Sequence, residues 1–150
     1  MRIVIQRVSE ASVKVEGREI SRCGPGMLIL VGVEEGDSKE DADWLAAKTI
    51  ALRIFPDNDG VMNRSVKEVQ GEILAVSQFT LTASTRKGNR PSYIRAARPG
   101  TAIELYDYFC DRLSSLSGKE TKKGIFGADM KVGLINDGPV TIIIDSRLKE

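Results

Sequence analysis

Apolar and polar positions alternate from the first residues of the chain. Arg2 to Val8 and Ala11 to Val15 read as two strands, and in the second Ala11, Val13 and Val15 alternate with Ser12, Lys14 and Glu16, which leaves one face wet. Glu16-Gly17 marks a turn, and Ile20 to Cys23 is read as a continuation of the sheet. Gly24-Pro25-Gly26 breaks the chain before Met27 to Val33, a short, continuously apolar run expected to be a strand covered on both faces. Ser38 to Ile54 has the helical period, with Ser38 as N-cap, acids in the first turn and an inward stripe of Ala42, Leu45, Ala46, Thr49 and Leu52; Pro56 is expected to stop it. Val61 to Val69 is read as a short strand, Gln70-Gly71 as a turn, and Ile73 to Phe79 as a second buried strand. A long loop, Thr82 to Gly100, follows. Thr101-Ala102-Ile103-Glu104 has capping-box form and opens a helix striped by Leu105, Phe109, Leu113 and Leu116, with Gly118 as its C-terminal cap. Met130 to Ile135 and Val140 to Ile144 are expected to form a hairpin around Asn136-Asp137-Gly138-Pro139.

Strands outnumber helices, and two helices cover only one face of one sheet. The pattern therefore predicts an α+β domain, a largely β core as two layered sheets or a distorted barrel, rather than a doubly wound fold. A sheet face left uncovered is a natural surface for a second copy. The length of 150 residues implies one domain, residues 1–150, able to bury an ordinary core. Met1 to Ile5 is too short an apolar run for a leader, and no stretch approaches the length of a membrane span. Cys23 and Cys110 lie far apart in no metal spacing, so two free thiols in a cytoplasmic protein are the expectation.

Histidine is absent, which removes the Ser-His-Asp and Cys-His arrangements and the commonest general base. Two stretches carry the remaining chemistry. Ser77-Gln78-Phe79-Thr80-Leu81 puts hydroxyl and amide groups at the end of a buried run, where polar groups are costly without partners or a task. Ser77 and Thr80 are candidate nucleophiles or structural hydroxyls; backbone N–H groups there would also serve as an oxyanion site. Net charge is only +1, but Ile73 to Ile103 holds Arg86, Lys87, Arg90, Arg95 and Arg98 and no acid. A basic, hydroxyl-rich, Gly-containing loop of this kind is either a solvated surface or a phosphate-backbone site.

Ser77-Gln78-Phe79-Thr80-Leu81 together with Asn136-Asp137-Gly138-Pro139-Val140-Thr141 resembles the two signature motifs of the D-aminoacyl-tRNA deacylases. The resemblance extends through Ile5-Gln6-Arg7-Val8, Arg53-Ile54-Phe55, Thr85 to Ser92 and Phe126-Gly127-Ala128-Asp129-Met130, so that it covers essentially the whole chain. Arg64 stands where the family more often has an aliphatic residue. The resemblance implies the layered β/β/α domain of that family and cleavage of the ester between tRNA and a D-amino acid or glycine. It implies a homodimer acting on aminoacyl-tRNA, without metal, cofactor or membrane. In it a cis Gly138-Pro139 pair, braced by Arg7, enters the other subunit's pocket, holds the substrate's α-amino group and excludes an L side chain. Ser77, Gln78, Phe79 and Thr80 would line the scissile ester, Phe126 and Met130 the terminal adenosine, and Arg86, Lys87 and Arg90 the tRNA backbone. The tRNA's own 2′-hydroxyl, with backbone N–H donors, would replace the missing base. Two rivals stand beside this reading. A non-catalytic RNA-binding module would use the same basic loop, and a serine or threonine hydrolase of small esters would depend on Thr80.

Overall fold

The computed structural model describes residues 1–149. In chain order it contains β1 (Arg2–Val15), β2 (Arg18–Cys23), β3 (Gly26–Gly32), α1 (Lys39–Ala51), β4 (Phe55–Pro56), β5 (Met62–Arg64), β6 (Glu72–Ser77), a single 3-10 turn (Phe79–Thr82), α2 (Pro99–Ser117), β7 (Lys122–Lys123) and β8 (Met130–Asp145). The molecule is α+β: a strongly curled sheet in the order β2-β1-β3-β6-β7, with β8 added to β1, a small β4-β5 ribbon and two helices.

The expected first two strands are one. β1 pairs with β3 through Arg2–Val8 and with β2 through Ala11–Val15, while β8 follows its other edge along the full length. The sequence pattern breaks at Ser9-Glu10 because the strand bulges there. Val8 lies opposite Asn136 and Glu10 opposite Ile135, which leaves Ser9 as the extra residue. An extra residue reverses which side chains face which side. Ile3 and Ile5 accordingly enter the core under the helices, whereas Val8, Ala11 and Val13 enter a second core. β3 and β6 run parallel and serve both cores. Met27, Ile29, Val31, Ile73 and Ala75 face the helices, and Leu28, Leu74 and Val76 face the second core. That second core contains no helix residue, so it is closed by strands alone, and this curling gives the sheet its near-barrel form.

The helices start and stop by tertiary as much as local signals. In α1 the buried stripe ends with Thr49 and Ile50, and the chain leaves the helix at Leu52. Pro56 is not what ends it: the Ile54 carbonyl is turned to accept a hydrogen bond from Arg7, and Phe55 pairs with Arg64. α2 begins at Pro99, a residue whose missing N–H costs nothing at a helix start, and the Thr101 capping box is therefore inside the helix and unused. Gly118, at φ 79°, caps its C-terminus. The expected strand over Val61 to Val69 shrinks to β5, where Arg64 donates to the Asn58 side chain. Lys119 to Lys123 ends in the short edge strand β7.

The expected C-terminal hairpin is also corrected. Met130–Ile135 and Val140–Ile144 do not fold back on each other; both pair with β1. Between the pairs Val8↔Asn136 and Gln6↔Thr141, Arg7 alone faces Asp137, Gly138, Pro139 and Val140, so the turn-like tetrapeptide is an excursion from a continuous strand. β1 is long enough to partner both halves, which removes any need for a reversal.

Candidate active site

β6 delivers Ser77 to the edge of the sheet, and the chain then tightens into the 3-10 turn rather than continuing as strand to Phe79. The turn sits directly on β3. Gln78 N–H donates to the Val31 carbonyl at 2.7 Å, and Gly32 leaves room for it, since a Cβ there would lie 2.9 Å from Leu81 Cβ. Beside the turn opens a cavity of about 510 Å³, lined by Ser77, Gln78, Phe79 and Thr80 from one stretch and by Phe126, Asp129 and Met130 from another, with Tyr106 of α2 also in the wall. A second, more open hollow of about 810 Å³ meets Thr80 from the other direction and runs along Leu81, Arg2 and Ile142 to Asp145.

Hydrogen bonds orient the turn. Thr80 Oγ1 accepts from Gln78 Nε2 at 2.9 Å, and among the described residues this amide is its one side-chain partner. An amide cannot take a proton, so Thr80 has no general base beside it. Thr82 Oγ1 donates to the Phe79 carbonyl at 2.8 Å. The N–H groups of Phe79 and Thr80 open the turn and meet no acceptor among the described residues, as the first donors of any helix do.

Tyr106 and Asp129 are among the lining residues that the sequence left without a role. The Tyr106 hydroxyl donates to the Ala75 carbonyl at 2.8 Å, and its ring lies 6.1 Å from that of Phe126. Burial pushes its pKa well above the usual phenol range, so it acts as a neutral donor. Its signal was its position three residues before Phe109 on the apolar face of α2. Asp129 adjoins Met130 in a stretch already noted; its carboxylate is exposed and paired with Lys131 at 3.0 Å.

Gly138 and Pro139 do not line the cavity of their own chain. They lie exposed in the β8 excursion, joined by a cis peptide bond. Arg7 holds the excursion from beneath: Nε donates to the Asp137 carbonyl at 2.9 Å and Nη1 to the Ile54 carbonyl at 2.6 Å. The Asn136 side chain closes its neck, with Oδ1 accepting from Val140 N–H at 2.9 Å and Nδ2 donating to Thr141 Oγ1 at 3.0 Å. Arg86, Lys87 and Arg90 project from the tip of the long loop, beyond the Ser84↔Ser92 bridge, and have no protein partner among the described residues. Cys23 and Cys110 are free and buried. Among the described residues no group of three or more Cys, Asp or Glu side chains is placed to hold one metal ion, and no helix is long and apolar enough to cross a membrane.

The sequence model for the family described as D-Tyr-tRNA(Tyr) deacylase matches residues 4–145, which include the cavity and the excursion. The chain belongs to this family. Similar curated members include the D-aminoacyl-tRNA deacylases of Bacteroides fragilis (strain YCH46), 62% identical, and Porphyromonas gingivalis (strain W83), 60% identical, each over 150 residues and the whole of both chains. A solved structure titled c-Myc DNA Unwinding Element Binding Protein superposes with a TM-score of 0.91 at 39% identity, covering 97% of this chain and 98% of its own. A probable eukaryotic D-amino acid tRNA deacylase superposes with a TM-score of 0.80 at 17% identity, covering 95% and 97%, and shares the fold. Within the D-Tyr-tRNA(Tyr) deacylase family, then, this chain combines one cavity of mixed polar and apolar lining with a separate, braced Gly-Pro excursion.

Proposed function

We propose that this chain hydrolyses the ester of D-aminoacyl-tRNA, releasing tRNA and the D-amino acid, and likewise clears glycine from mischarged tRNA. What carries the reading is a cavity lined both by Phe79 and Thr80, whose backbone N–H groups meet no acceptor among the described residues, and by Phe126 and Met130, in a chain of this family. The terminal adenosine rests against Phe126 and Met130, and the ester lies along Ser77 to Thr80. Water adds to the ester carbonyl as the vicinal 2′-hydroxyl of the terminal ribose accepts the water's proton and passes its own to the departing 3′-oxygen. The oxyanion accepts from the Phe79 and Thr80 N–H groups, and collapse expels the ribose 3′-oxygen. An aminoacyl ester is already activated, so positioning and oxyanion stabilisation suffice without a titratable base. No metal or cofactor enters the scheme. The lack of a base at Thr80 disfavours the hydroxyl-nucleophile alternative.

Two copies are needed. Gly138 and Pro139 do not line the cavity of their own chain, while β8 has one edge unpaired among the described residues and carries Ile143, 68% exposed, and Ile135, 55% exposed. Pairing along this face lets each Gly138-Pro139 segment enter the other subunit's cavity, where its carbonyls hold the α-amino group and its backbone blocks an L side chain. Arg86, Lys87 and Arg90 meet the tRNA phosphates. The reaction belongs to translational quality control, with the cytoplasm as its compartment.

The experiment is deacylation of matched D- and L-tyrosyl-tRNA by purified protein with EDTA present. Rapid release from the D ester with the L ester intact is expected. Equal cleavage of both would remove the chirality filter, and binding of tRNA without cleavage of either would favour an RNA-binding module.

A further inference from the structure

Five cations lie between Ile73 and Ile103, and one of them behaves differently from the rest. The side chains of Arg86, Lys87, Arg90 and Arg98 have no hydrogen-bonded or ion-paired protein partner among the described residues. Arg95 is held through two of its three guanidinium nitrogens, although its side chain is 47% exposed. Its Nε donates to the Thr82 carbonyl at 3.2 Å, and its Nη2 donates to Thr82 at 3.1 Å and to the Ala83 carbonyl at 3.4 Å. Behind it stands the buried carboxylate of Glu34, with Nη2 to Oε1 at 3.8 Å. The Arg95 backbone is fixed as well, since its carbonyl accepts from Glu35 N–H at 2.9 Å. One peptide earlier in the turn, the Leu81 carbonyl accepts from Arg2 Nη1 at 3.0 Å, and Arg2 is itself held by Asp145 through Nε at 3.0 Å and Nη2 at 2.8 Å.

Two guanidinium groups thus hold three consecutive carbonyls, Leu81, Thr82 and Ala83, at the closing end of the 3-10 turn. The residues opening that turn, Phe79 and Thr80, line the cavity. The peptide unit is planar, so fixing a carbonyl fixes the N–H of the next residue. The Thr82 carbonyl carries with it Ala83 N–H, which donates to the Thr80 carbonyl at 3.1 Å; Thr80 in turn shares its plane with Leu81 N–H, which donates to Gln78 at 3.3 Å. The orientation of the opening end is therefore set from the closing end. We propose that Arg95, seconded by Arg2, is a positioning residue for the 3-10 turn that presents Phe79 and Thr80 to the cavity, and that it is not an RNA contact. The fork geometry matters, because one guanidinium spans two carbonyls and a carboxylate, whereas a lysine ammonium reaches fewer of them.

The proposal rests on the deacylase reading of this cavity. Its test measures kcat, KM and their salt dependence for D-tyrosyl-tRNA cleavage by wild type, Arg95→Gln, Arg95→Lys, Glu34→Gln and Arg86→Gln. For Arg95→Gln, kcat is expected to fall about tenfold, with KM nearly unchanged and the wild-type salt slope retained. Arg86→Gln is expected to show the opposite pattern, a raised KM and a slope reduced by about one, as removal of a phosphate contact does. Arg95→Lys remains below wild type. An Arg95→Gln protein with intact kcat, raised KM and a reduced slope would overturn the proposal, as would full recovery by lysine. Should Arg95→Gln fail to fold, Glu34→Gln, which removes the charge behind the clamp together with the 3.2 Å ion pair to Arg147, is compared with Arg147→Gln, which leaves Arg95 and Glu34 in place. A kcat lowered several-fold in Glu34→Gln alone is expected; an unchanged kcat, or an equal loss in both, counts against the proposal. If wild type itself cleaves no D ester, the deacylase reading fails on its own, and amide exchange decides the clamp. Faster exchange at Leu81 and Ala83 in Arg95→Gln, with β1 and β3 unaffected, supports it, and unchanged exchange overturns it.

Discussion

At Gly138 the backbone sits at φ 138°, and a Cβ would lie 2.8 Å from Val140 Cγ2 and 3.0 Å from Arg7 Nη2. Gly138→Ala must therefore shift the excursion or displace the guanidinium that supports it. A loss of about 1–3 kcal/mol in stability is expected in urea unfolding. On the proposed mechanism, kcat/KM for D-tyrosyl-tRNA falls by about tenfold or more, because a displacement of about 1 Å is enough to spoil an aligned site. At this scale the candidate cavity was partly legible: Ser77, Gln78, Phe79, Thr80, Phe126 and Met130, singled out by residue type and resemblance, all line it. Asn136 and Thr141 were visible only as motif letters. Their staple across the neck of the excursion depends on hydrogen-bond directions that residue types do not specify.

Between elements, the decisive contact is the 3-10 turn against β3. Gly32→Ala would put a methyl 2.9 Å from Leu81 Cβ and 3.2 Å from the Gln78 carbonyl. Neither atom is the end of a long, flexible side chain, so the turn itself must move. Overpacking of this kind costs about 1–3 kcal/mol. The expected outcome is a lowered Tm and a kcat reduced more than KM is raised, checked by calorimetry and steady-state deacylation. The existence of both helices and of the strands around Ile29, Leu74 and Val132 followed from periodicity. Their limits did not: past α1 the Ile54 carbonyl turns to Arg7 and Phe55 pairs with Arg64, and after Gln78 N–H makes its last bond to β3 the chain tightens into the 3-10 turn.

For the whole molecule, pH dependence follows from buried neutral groups and paired acids. Burial holds Cys110 up to about 12, against 9.0 for a free thiol, and raises Tyr106 as well. The unfolded chain releases these protons first as pH rises, so their contribution is complete below about pH 9 and is lost above it. On the acid side, hydrogen bonds from Lys122 and Gly24 N–H lower Glu72. At Asp145 burial raises the pKa, but the Arg147 N–H and Arg2 more than offset it and leave a net lowering. Both stabilise above the ordinary carboxylate range and lose that contribution as pH falls below about 4. A stability plateau from about pH 5 to 8, falling on both sides, is the expected result of urea titrations across pH.

Periodicity and punctuation were enough to determine the α+β class and the apolar positions of the main elements, composition showed that histidine is absent, and the resemblance of two motifs pointed to the family. These are properties of residue order, and local pattern carries them. Whether Asn136-Asp137-Gly138-Pro139 reverses the chain or leaves it running was undetermined. A turn sequence fits a hairpin and a mid-strand excursion equally well, and the choice belongs to β1, more than a hundred residues earlier in the chain, whose unbroken edge pairs with both halves. The division of the five loop cations was also beyond the sequence. Arg95 resembles Arg86 in composition and differs only in which carbonyls and carboxylate the fold brings within reach.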